Sequence, residues 1–252
     1  MKKILPLVIV AAFGSTVWVL AQSATPAAGD PLVDGFRMVE VASVADAVEQ
    51  LYGQRAYMSH DMRPLAPTKF AGPAVTVQLK REEHKEGSAA SQGMLDAIDA
   101  AAPGSVYVMV LERGAGGAFS ENNTDFAGIG GLMATAMKYR GFAGAVIDAS
   151  VRDTPQIRKL QFPVFSRGVV PSTTINHYRV TGVNVSVLCA GVRVNPGDIV
   201  AADEDGVAVI SRAQAAEVLK KSQDLDDTEH RMLPFIEKYR SIKEAVKQFG
   251  RI

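Results

Sequence analysis

The chain has 252 residues, 47% of them hydrophobic, and its 27 basic side chains balance its 27 acidic ones, so the formal net charge is zero. Nothing in that balance suggests a nucleic-acid binder, which normally shows a basic stripe or face, while the apolar content suffices for a core in one large domain or two small ones. Cys189 is the single cysteine, which excludes an internal disulfide and a thiolate metal cluster. The four histidines (His60, His84, His177 and His230) lack the close spacing of a histidine-built zinc site.

In chain order, Met1-Lys2-Lys3 and the apolar run 4–20 read as a signal peptide. Val19-Leu20-Ala21 offers small residues for cleavage, and an uncleaved membrane anchor is the alternative. The expected division is a signal peptide over 1–21, a linker over 22–30, an α/β domain over 31–211 and a helical region over 212–252. Export to the periplasm or the exterior follows from that leader. Residues 41–53 (VASVADAVEQLYG) predict a helix with Ser43 as N-cap, an apolar stripe of Val44, Ala47, Val48 and Leu51, and Gly53 as terminator.

Three prolines then lead into an alternating strand over 74–80, followed by a helix over 87–104 stopped by Pro103-Gly104. The continuous apolar run 105–112 (SVYVMVLE) predicts a strand covered on both faces. A long glycine-rich loop over 113–131 follows, of a length that marks functional loops. Beyond it come a helix over 132–139, a buried strand over 143–147, a short helix over 154–160, and a strand and turn over 163–172. Residues 177–194 read as hairpin material, 195–211 as two short strands around an acidic turn, and the remainder as helix. Alternating strands and helices imply an α/β fold with a mixed sheet, with no composition break and no internal repeat.

Two features carry chemistry. Gly128-Ile129-Gly130-Gly131 precedes the first helical turn at Leu132-Met133-Ala134. The leading N–H groups of a helix lack internal partners and attract carboxylate or phosphate, and glycine lets a ligand reach the backbone. A tight loop-to-helix turn explains the same glycines. Met133 stands where a dinucleotide fingerprint needs its last glycine, and no Walker lysine follows. The earlier Gly114-Ala115-Gly116-Gly117 reads as a flexible loop. The second feature is Arg152-Asp153, just beyond a buried strand, where open α/β sheets bind ligands. Arginine holds a carboxylate or enolate oxygen with two hydrogen bonds, and one aspartate can anchor a hydrated magnesium ion. A surface ion pair with Asp153 capping the next helix is the plain alternative. One helix and one strand separate the two features, so both could face one cleft.

The series VADAVEQLYG, AGPAVTV, APGSVYVMV, GGLMATAMKYRGFAGAVIDASVRD, FPVFSRG and VNPGDIVAADEDGVAVI resembles the RraA-like family. That family includes 4-hydroxy-4-methyl-2-oxoglutarate aldolases and the RraA regulators of ribonuclease E. The resemblance implies a three-layer β/β/α swivelling-domain fold with a C-terminal helical tail, assembled as homotrimers or homohexamers with sites near subunit interfaces. It implies that the amides of Gly130, Gly131, Leu132 and Met133 hold a pyruvate-like carboxylate. Arg152 would then bind substrate and stabilise the enolate, and Asp153 would bind magnesium, or manganese in its place. The implied activity is metal-dependent retro-aldol cleavage of a small 2-oxo acid to pyruvate, with oxaloacetate decarboxylation as a side activity. In one departure, glycine at 131 stands where some active members carry an acid. Asp226, Asp227 and Glu229 are candidates for an acid that assists from the C-terminal region. A non-catalytic binding or regulatory protein is the second reading. A methyltransferase lacks its nucleotide loop here, and a Schiff-base aldolase would need Lys138, which reads as an exposed helix residue.

Overall fold

In the computed structural model, residues 29–65, 69–112 and 125–250 are described. The expected signal peptide, most of the expected linker and Gly114-Ala115-Gly116-Gly117 lie outside them. No helix among the described residues is long and apolar enough to cross a membrane.

The run VYVMVL forms β3 (Val106–Leu111), buried at every position. Such a strand needs cover on both faces and partners on both edges. It lies parallel to β2 (Phe70–Arg81) on one side and to β5 (Gly144–Val151) on the other. β5 continues parallel to β6 (Val164–Val169), whose far edge takes β1 (Arg63–Pro64) antiparallel. Beyond β2 lie β10 (Ile199–Asp203) and β11 (Gly206–Ile210), both antiparallel, giving the order β1-β6-β5-β3-β2-β10-β11. β2 also pairs with β7 (Tyr178–Val183), and β5 with the short β4 (Ala127–Ile129). β8 (Val187–Cys189) and β9 (Val192–Val194) make a separate hairpin. The region expected to be one hairpin is thus split: β7 completes the main sheet, and β8–β9 covers its face.

The result is a mixed α/β domain with a nearly closed sheet and C-terminal helices, in agreement with the expected fold class. Three apolar clusters cement its layers. α3 (Gln92–Ala100), α4 (Gly131–Tyr139) and α5 (Thr154–Lys159) cover one face through Met94, Ile98, Met137 and Ile157. The β8–β9 hairpin packs on the opposite face against Val108, Val146 and Phe165. α1 (Pro31–Phe36), α2 (Val41–Tyr52) and α6 (Ala215–Tyr239) pack on β10 and β11 through Phe36, Val44, Ile199 and Val218. Side chains buried this fully contribute about 1.5–3 kcal/mol each. α7 (Ile242–Phe249) closes the described chain, capped by the Ser241 hydroxyl, which accepts from the Glu244 amide at 3.1 Å.

Two local expectations are corrected. Ser43 is not the cap of α2, because it lies buried inside that helix. Carboxylates from distant elements serve instead: Asp226 accepts from the Glu40 amide at 3.0 Å, and Asp203 from the Val41 amide at 2.9 Å. Burial also raises the pKa of Asp203 above the usual carboxylate value. The buried strand expected over 143–147 runs on to Val151, so Ala149-Ser150 is strand rather than turn.

Candidate functional site

β3 pairs with β5 only as far as Asp148, and beyond that point β4 takes over the same edge. β4 can lie there because Gly128 has no side chain. A Cβ on it would sit 2.8 Å from Met109 Sδ and 2.9 Å from Ile147 Cγ2. Gly128 and Ile129 are therefore strand residues, and the turn itself is Gly130. The parallel β4 and β5 end side by side, and α4 and α5 leave from their carboxyl ends, the place where α/β sheets take ligands.

Two hydrogen bonds tie these ends together. The Arg152 amide donates to the Ile129 carbonyl at 3.1 Å, and the Gly131 amide donates to Asp153 Oδ2 at 3.0 Å. Arg152 Nε lies 3.9 Å from the same Oδ2. Asp153 occupies the N-cap position of α5 but its side chain makes no cap bond, and its φ of 57° places it in the left-handed region. Its carboxylate faces the glycine turn instead, and Oδ1 has no partner among the described residues. Gly130 accommodates this approach: a Cβ there would meet Asp153 Oδ2 at 2.7 Å and Arg152 Nε at 3.1 Å.

Gly130 is the N-cap of α4 with no side-chain cap, and the first helical bond runs from the Ala134 amide to the Gly130 carbonyl at 3.1 Å. The amides of Leu132 and Met133 precede that bond and have no partner among the described residues, so they remain free for an anion. The structure thus brings Gly130, Leu132, Met133, Arg152 and Asp153 to one cleft of about 220 Å³, whereas Gly131 is buried, does not line that cleft, and has its amide committed to Asp153 rather than free for a ligand. Within this set Leu132 is 88% exposed. Arg152 Nη1 reaches the Ser172 carbonyl at 3.5 Å, which holds the guanidinium along the cleft.

The opposite wall was not foreseen. Ser91, Met94 and Leu95 from the start of α3, and Thr173, Thr174 and Ile175 from the loop before β7, close it. These segments lie tens of residues from the glycine turn, and only the pairing of β7 with β2 brings their loop here. The expected C-terminal acids are not part of the wall. Asp226 is committed to the start of α2, and neither Asp227 nor Glu229 lines the cleft. No histidine lines it either.

Among the described residues no group of three or more His, Cys, Asp or Glu side chains could cage a metal. One open carboxylate oxygen beside the free amides at the start of α4 suits a different arrangement. Magnesium or manganese keeps most of its waters and takes one or two carboxylates plus substrate oxygens. The residues present fit such an ion, and Asp153 would be its protein ligand.

The model of the RraA-like family (Aldolase/RraA) matches residues 41–209. The chain belongs to that family. A relative from Halalkalibacterium halodurans is 31% identical over 192 residues, covering 75% of this chain and 80% of its own. Its name gives 4-hydroxy-4-methyl-2-oxoglutarate aldolase as an unconfirmed assignment. A solved structure of an uncharacterised protein from Pseudomonas syringae pv. tomato superposes with a TM-score of 0.73 at 25% identity, over 86% of this chain and 97% of that one. Streptomyces coelicolor RraAS2 superposes with a TM-score of 0.67 at 26% identity, over 81% and 96%. Its title describes it as an unusual member of the ribonuclease ES inhibitor family RraA. The RraA-like family therefore spans aldolase and regulator names, and both are similar to this chain.

Proposed function

We propose that the chain is a divalent-metal-dependent lyase that cleaves a short 4-hydroxy-2-oxo acid to pyruvate. The observation that carries this reading is the pair of hydrogen bonds clamping Arg152-Asp153 to the glycine turn, because it sets a guanidinium, an open carboxylate oxygen and free helix amides around one small cleft. The aldolase name of the 31% identical relative supports it.

The amides of Leu132 and Met133 hold the substrate carboxylate at the positive end of α4. Arg152 faces the keto oxygen and stabilises the negative charge that grows there as the C3–C4 bond breaks. Asp153 would hold a divalent cation, which would supply Lewis acidity when bound. The C4 hydroxyl loses one proton and C3 gains one, so the reaction needs no co-reactant, and solvent water carries the proton. Decarboxylation of oxaloacetate would pass through the same enolate.

The assembly proposed with this activity is a homotrimer or homohexamer, supported by Leu132 and Tyr139, which stand 88% and 82% exposed on α4 beside the site. Light scattering on the purified protein tests it. Export is proposed from the leader-like residues 1–21, and N-terminal sequencing of the mature protein tests that.

The decisive assay is pyruvate release from 4-hydroxy-4-methyl-2-oxoglutarate and from oxaloacetate, with magnesium or manganese and with EDTA. Release that EDTA abolishes is expected, and no release with either metal would sink the lyase reading. A binding protein without turnover is the second reading, favoured by Gly131: Asp153 is the only acid lining the cleft among the described residues. Calorimetric binding of an oxo acid without turnover would select it.

A further inference from the structure

The sheet is nearly closed, and a strap rather than a full strand spans the gap between β11 and β6. Residues 56–58 run along β11, where the Met58 amide donates to the Val207 carbonyl at 2.9 Å and the Val209 amide to the Ala56 carbonyl at 2.8 Å. The strap then turns at Ser59–Met62 and meets β6 only through the two residues of β1. Between the strap, the start of α2 and the β10–β11 turn lies a cavity of about 400 Å³, a size typical of small-molecule sites. It shares no lining residue with the cleft at Asp153.

Buried Val41, Met58 and Met62 give this cavity an apolar lining, and methionine adapts to ligands of varied shape. Two exposed side chains of opposite charge line it as well. The Arg55 guanidinium stands 4.6 Å from the centroid of the Tyr57 ring, and its Nε donates to the Tyr57 carbonyl at 2.9 Å. These contacts hold the group and leave its two terminal nitrogens without an acceptor among the described residues, and a guanidinium so held can take a carboxylate with two bonds. Asp205 uses its amide to donate to Asp203, while its own carboxylate has no partner among the described residues. Arg55 and Asp205 thus line one cavity without pairing with each other. The remaining polar groups of the rim are engaged elsewhere: His60 faces Asp61 at 3.3 Å, and the Ser59 hydroxyl donates to Asp61 at 3.1 Å.

From these observations we propose that this second cavity binds a zwitterionic α-amino acid with an apolar side chain. Arg55 takes its carboxylate, Asp205 its ammonium group, and Met58, Met62 and the Tyr57 ring its side chain. A simple anion would also meet Asp205, and a simple cation would also meet Arg55, so a ligand that carries both charges complements the lining best. The inference is independent of the oxo-acid reading, because the two sites have no residue in common.

Calorimetry on the full chain titrates L-phenylalanine and L-methionine beside 3-phenylpropanoate, which lacks the ammonium group, and 2-phenylethylamine, which lacks the carboxylate. Both amino acids should bind, and L-phenylalanine at least about tenfold tighter than either one-charge analogue, the worth of a hydrogen bond to a charged group. Arg55→Gln should abolish the preference for L-phenylalanine over 2-phenylethylamine, and Asp205→Asn the preference over 3-phenylpropanoate. Both side chains are exposed, so each variant should melt within about 2 °C of the wild type. No binding of either amino acid overturns the proposal, and so does equal binding of L-phenylalanine and one of its analogues on the wild type. Unchanged affinity for L-phenylalanine in either variant overturns it as well. Loss of that affinity in Asp153→Asn would place the amino acid in the other cleft, with the same consequence.

Discussion

Replacing Asp153 separates what the fold needs at this position from what the site needs. The residue sits at φ 57° and ψ 36°, a left-handed conformation that costs an ordinary L-residue about 1–2 kcal/mol, less for Asp and Asn. Asp153→Gly removes that cost. It also removes the hydrogen bond from the Gly131 amide, worth about 1 kcal/mol net because the carboxylate is 54% exposed and water can replace it. The two changes oppose each other, so stability should shift by less than about 1 kcal/mol, or about 2–4 °C in melting temperature for a domain of this size. Asp153→Asn keeps an acceptor for Gly131 and tolerates the backbone, and it too should melt near the wild type. Both variants lose the charge that would hold the cation. Lewis-acid assistance is worth several kcal/mol, so pyruvate release should fall by at least about 100-fold. The assay couples pyruvate to lactate dehydrogenase, with manganese binding followed by calorimetry. Activity of Asp153→Asn within about threefold of wild type, with manganese binding unchanged, would refute the metal assignment. A loss of more than about 3 kcal/mol in Asp153→Gly would show instead that the turn is held for folding.

Further outcomes follow from the packing. Gly130→Ala keeps an allowed backbone at φ −135°, but its Cβ would press on Asp153 Oδ2 and Arg152 Nε. Overpacking of this kind costs about 1–3 kcal/mol, and ligand affinity should fall with it; unchanged affinity would mean the pair does not act where it sits. The Tyr107 hydroxyl is fully buried without a partner among the described residues, and burial raises its pKa far above the ordinary value. Tyr107→Phe should therefore be neutral or stabilising by up to about 1 kcal/mol in urea titration, and a clear loss would reveal a partner for that hydroxyl. Because the pKa of Asp203 is raised in the folded state, that state holds its proton to higher pH than the unfolded chain does. Its contribution is complete at acid pH and is lost as pH rises through the folded pKa. Asp203→Asn should flatten that part of the stability profile, and an identical pH slope in variant and wild type would refute it.

Much of the fold was legible because the strongest patterns are local. The all-apolar run at 106–111 could only be a strand covered on both faces, and Gly53 ends α2 at φ 64°, as a terminator should. The start of α2 was misread for a reason equally physical. Asp203 and Asp226 cap it from β10 and α6, and a local search for a serine cannot see carboxylates more than 160 residues away. The hairpin expected over 177–194 failed similarly, since Tyr178–Val183 finds a better edge on β2 than on its own neighbour.

The sequence by itself determined the chemical vocabulary of the site. Glycines before a helix and an Arg-Asp pair after a strand are properties of short segments, and their hydrogen-bonding capacity is set by residue type alone. Only the tertiary structure decided that they meet. β4 replaces β3 on the edge of β5, Gly128 makes room between Met109 and Ile147, and the Gly131 amide closes on Asp153. Tertiary structure also decided the far wall. Ser91 and Ile175 reach the cleft through contacts between distant segments, and whether a buried hydroxyl finds a partner depends on everything packed around it.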